Sequence, residues 1–179
     1  DKAWRQLFRW MVADVPSRID LQVEPRPGDP NQALLLQVRA RDKGFAVPPD
    51  MLERSKRYLR SIEGHIPSFY GPEARRALVA YALNVRQRLG DPDGARARAL
   101  LKEAPVEKTS VETLGWLLPV LHADPAGRGE VAAILRHLGS RVSETAGAAH
   151  FTTSYGESSH LLLHSDRRAD AIILEALIV

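Results

Sequence analysis

Cysteine is absent from this 179-residue chain. That excludes a disulfide framework, cysteine-based zinc sites, Cys-His nucleophilic catalysis, thiol redox chemistry and any thioester built on a cysteine. Lysine is scarce, with only Lys2, Lys43, Lys56, Lys102 and Lys108, so most of the 25 basic residues are arginine. Set against 22 acidic residues they leave a net charge of +3, too small for an electrostatic nucleic-acid footprint. Nothing approaches the ~20 apolar residues that span a bilayer. The longest candidate, Ala171 to Val179, is broken by Glu175. The start Asp1-Lys2-Ala3-Trp4 offers neither an initiator Met nor a signal-peptide core, so the chain reads as a piece of a longer protein. Gly-rich phosphate loops and paired carboxylates at catalytic spacing are also missing.

What is present is strongly punctuated. Trp4, Leu7, Phe8 and Met11 fall at helical spacing and predict a short amphipathic helix over 2–12, stopped by Pro16. Ile19, Leu21 and Val23, then Leu34, Leu36 and Val38, alternate as strands around the turn cluster 25–31, predicting an antiparallel pair at 18–24 and 33–41. From Pro48 the pattern becomes helix after helix, predicted at 50–63, 72–89, 93–103, 110–121, 126–138 and 166–179. The signals are Asp50 with Glu53 and Thr109 with Glu112 as capping boxes, proline at first helical positions after Gly71, Asp91 and Asp124, and Gly64, Gly90 and Gly139 as stops. The second of these helices is apolar on more than one side and expects neighbours on both. The last, with Glu175 as its one polar break over 171–178, expects burial nearly all round. Between 149 and 164, Ala149 to Tyr155 and His160 to His164 flank Gly156-Glu157-Ser158-Ser159, which predicts a second β-hairpin. The fold class is therefore mainly α, with two domains expected: 1–42, a helix plus β pair, and 43–179, antiparallel helix pairs interrupted by a short hairpin.

Four clusters invite a chemical reading. His150, His160, His164 and Asp166 could meet at a metal if the second hairpin forms, yet they follow no known ligand spacing, and completion of strand-end hydrogen bonds explains them more simply. Gly156-Glu157-Ser158-Ser159-His160 resembles a nucleophile elbow but lacks the glycine two residues after either serine, so it reads as a polar turn. Arg54, Lys56, Arg57 and Arg60 lie opposite Leu52, Ser55, Leu59 and Ile62 on one helix, the pattern of a solvated face rather than a nucleic-acid surface. Arg167 and Arg168 sit in a first helical turn capped by Ser165, against the helix dipole, and so expect carboxylate partners; Glu144, Glu157 and Asp170 are the candidates. No residue is assigned to catalysis, to a cofactor or to a metal.

The run Thr145-Ala146-Gly147-Ala148-Ala149-His150-Phe151 to Tyr155, then Leu161 to Arg168 and Ile172 to Ile178, resembles the thioester-domain region of bacterial alpha-2-macroglobulin family proteins. Lys43 to Pro48, Arg57-Tyr58-Leu59, Ala80-Tyr81-Ala82-Leu83 and Gly115-Trp116-Leu117-Leu118 extend the likeness over about residues 43 to 179. The resemblance implies part of an α/α toroid of antiparallel helix pairs within a periplasmic or envelope protease inhibitor, which collapses on bait cleavage and captures the protease through a Cys-Gln thioester. This chain has neither bait region nor Cys-x-Glu-Gln motif, so no thioester residue carries over. Residues 4–10, 15–16 and 29–32 are similar, more faintly, to bacterial glutamine-amidotransferase-like or von Willebrand-type membrane proteins, in which a helix precedes an immunoglobulin-like section. The expectation is a non-catalytic structural segment of a protease trap, meeting proteases through its parent protein. The alternative is a small helical interaction or assembly module that self-associates through apolar surface left by an incomplete toroid; an enzyme built on the three histidines comes third.

Overall fold

The computed structural model describes residues 49–178 apart from 155, 157–161 and 163. The helix expected at 2–12, the strands at 18–24 and 33–41 and the block 43–48 lie outside the described residues. The chain divides between Leu36 and Gln37, and every described residue belongs to the second part.

Six α-helices and one small antiparallel sheet make up the described region: α1 Pro49–Arg60, α2 Pro72–Arg88, α3 Gly94–Lys102, α4 Val111–His122, α5 Arg128–Ser140, β1 Val142–Thr145, β2 Ala148–Phe151 and α6 Asp166–Ile178. The punctuation explains most of the ends, with two corrections: α1 stops at Arg60, three residues before the expected 63, with Gly64 inside a 3₁₀ turn Ile62–His65, and α5 runs through the expected stop Gly139 to Ser140. Asp50 falls in the first turn of α1 and pairs with Arg54 at 3.2 Å instead of capping. Pro72 opens α2, and Gly90, at φ +71°, ends the turn after it in the left-handed region that glycine adopts without steric cost. Asp93 caps α3 by accepting the Arg96 N–H at 3.0 Å, so the helix starts beyond Pro92. Ser110, not Thr109, caps α4 through the Thr113 N–H, while the Thr109 hydroxyl donates to the Pro105 carbonyl. Asp124 caps the 3₁₀ turn Pro125–Gly127, and Ser165 accepts from the Arg168 N–H at the start of α6.

The hairpin differs from the expected one. β2 overlaps the predicted strand 149–155, but its partner is β1, with Val142 opposite Phe151 and Thr145 opposite Ala148. The turn at Ala146-Gly147 decides this: Gly147 takes φ +88°, which reverses the chain within two residues. Most of the expected partner strand 160–164, and of the turn 156–159 before it, lies outside the described residues.

Inter-helix contacts fix the directions. Glu112 meets Arg168 at the beginnings of α4 and α6, Gly115 lies against Ile172 midway, and Pro119 and His122 share a groove with Ala176 and Ile178 at their ends. α4 and α6 therefore run parallel. α2 follows the same direction: a Cβ at Gly156, ahead of α6, would collide with the Glu73 carboxylate at the start of α2, and Arg88 at its end pairs with Glu175. The returns are made by α3 and α5. Asp93, at the head of α3, takes Arg86 from the tail of α2, and Val131, near the start of α5, lines the groove at the tail of α4.

The core sits between these layers. Leu83, Leu114, Leu117, Leu121, Ile134 and Ile173 are fully buried and belong to one cluster with Ala97, Leu100 and Leu138. As its pattern predicts, α2 is buried on several sides, at Ala74, Ala77, Val79, Ala80, Ala82, Leu83 and Val85. α6 corrects the expectation of all-round burial. It buries only Ala169, Ile173 and Ala176, while Leu174, Leu177 and Ile178 are exposed. At the α1–α2–α3 corner, Asp91 accepts from Arg60 at 2.8 Å and Arg86 at 2.9 Å. Those hydrogen bonds, Arg60's first, outweigh partial burial and hold the Asp91 carboxyl below its ordinary range.

Candidate functional site

Two features stand apart from ordinary core packing. The first is a charged joint at the α4–α6 contact. Glu112, in the first turn of α4, is drawn inside because α4 is apolar almost all round, with Val111, Leu114, Leu117, Leu118, Val120 and Leu121 buried beside it. Only 2% of its side chain is exposed. A carboxylate so buried needs a cation, and Arg168 supplies it: its Nε donates to both carboxylate oxygens at 3.2 Å. Arg168 Nη1 donates to the Leu162 carbonyl at 2.6 Å, and its guanidinium lies 5.9 Å from the Trp116 ring centre. Trp116 in turn tilts against Tyr81 of α2, with ring centres 5.1 Å apart. One arginine thus ties the loop before α6, the head of α4 and, through Trp116, α2.

Glycine makes this closeness feasible. A Cβ at Gly115 would lie 2.8 Å from Ile172 Cγ2, so the α4 backbone can meet α6 only without a side chain there. Pro119, four residues on, has no N–H to offer the Gly115 carbonyl, so one i→i−4 bond of α4 is missing there.

The residues singled out from sequence scatter around this joint. The side chain of His164 is almost wholly buried, with Nε2 3.4 Å from Glu112 Oε2. His150 is on the exposed face of β2 opposite Ser143, and Asp166 is hydrogen-bonded to Thr153. His160 and most of the polar turn 156–159 lie outside the described residues. His164 and Glu112 are therefore brought together, whereas His150 is exposed on β2 and Asp166 is bonded to Thr153. Among the described residues no group of three or more His, Cys, Asp or Glu gathers where a metal could sit. Arg168 takes Glu112, 56 positions away, a partner the sequence did not suggest; Asp170 accepts the Phe151 N–H at 2.8 Å, fastening the hairpin to α6, and Glu157 lies outside the described residues. On α1, Arg54 and Lys56 pair with Asp50 and Glu53 in exposed ion pairs, and Ser55 and Leu59 face inward.

The second feature is an apolar groove of about 310 Å³ at the common tail of α4 and α6, closed on one side by α5. Leu118, Pro119, Val131, Leu135, Leu177 and Ile178 line it, with His122 as its one titratable group. The arrangement offers packing surface and a buried ionic joint. No helix among them is long and apolar enough to cross a membrane. Compared with protein-family models, curated proteins and solved structures, the chain matches none.

Proposed function

We propose that this chain is a non-catalytic helical segment of a macroglobulin-like protease trap of the cell envelope, contributing packing and conformational response with no covalent capture of its own. The observation that carries the reading is convergence. The blocks on which the resemblance rests, 80–83, 115–118 and the stretch ending at Ile178, are distant in sequence, yet Tyr81, Trp116 and Arg168 meet at one joint and Gly115 admits Ile172. A likeness assembled by chance from helical composition has no reason to select residues that touch. Three same-direction helices with returning helices between them also suit one arc of an α/α toroid, the finer architecture we propose for this region.

The test uses the intact parent protein, incubated with endopeptidases of differing specificity and followed by native electrophoresis and small-angle scattering. The trap reading expects cleavage at one exposed stretch, a compacting change of shape and retained protease. Cleavage with neither compaction nor retention overturns it. The alternative, a small helical interaction module, is favoured by the apolar groove and expects a folded chain with a partner but no response to proteases.

A further inference from the structure

We draw no further inference here: the strongest candidate, the buried cluster of Glu112, His164 and Arg168 where the heads of α4 and α6 meet, belongs to the joint already described.

Discussion

Truncating the two ends of the Glu112–Arg168 pair should cost unequal amounts, because the partners are buried unequally. Only 2% of the Glu112 side chain reaches solvent, against 35% of Arg168. Arg168→Gln leaves a desolvated carboxylate whose remaining neighbour is His164, 3.4 Å away. Breaking a buried pair in this way costs about 3–5 kcal/mol, and the nearby imidazole places the expected loss at the lower end, about 3 kcal/mol. Glu112→Gln is nearly isosteric and leaves a guanidinium that keeps access to water, the Leu162 carbonyl and the Trp116 face. Its loss is that of one charge-assisted interaction with a half-exposed partner, about 1–2 kcal/mol. Urea unfolding followed by circular dichroism measures both, and the difference should be at least about 1 kcal/mol with Arg168→Gln the worse. The double variant should cost about 1 kcal/mol or more below the sum of the singles. Equal losses, or Glu112→Gln the more damaging, would refute the reasoning that Glu112 is the group requiring compensation.

Other perturbations test neighbouring parts. Gly115→Val should lower stability by about 2–3 kcal/mol and Tm by roughly 4–10 °C, since even a Cβ would meet Ile172 Cγ2 at 2.8 Å; an unchanged Tm contradicts the close approach of α4 and α6. Ser110→Ala should cost about 1 kcal/mol by freeing the Thr113 N–H, measured by the same unfolding curve. Asp91 gives a pH signature: its folded pKa is depressed, so its stabilisation is complete above the unfolded value near 3.8 and is lost as pH falls through the folded one. Asp91→Asn should therefore be less stable than the parent sequence from pH 5 to 7, and the gap should close below about pH 3.8 in urea titrations at successive pH values. A gap independent of pH would count against the ionic role.

The helices were legible because their ends are written locally. Pro72 and Gly90 bracket α2, Asp124-Pro125 announces the turn into α5, and Ser165 marks α6, all within a residue or two of the observed ends. The strand before β2 was missed because threonine, phenylalanine and tyrosine signal strand preference without naming a partner, whereas the reversing signal into β2 was the single Gly147. Glu112 was assigned to a local cap three residues from Thr109, and nothing local reveals an arginine 56 positions on that needs the same carboxylate. The resemblance blocks were visible as strings, but their meeting around Gly115 depends on backbone distance. α6 showed its apolar content and hid its direction: the small residues Ala169 and Ala176 face inward with Ile173, while Leu174, Leu177 and Ile178 are exposed, the last two at the groove.

The central claim, that this helical joint belongs to a trap that responds to cleavage, is tested most directly by hydrogen exchange on the parent protein before and after limited proteolysis. The expected result is a concerted change of protection in 80–83, 112–118 and 166–178, accompanying retention of the protease. Unchanged protection in all three segments, with the protease released, would contradict it.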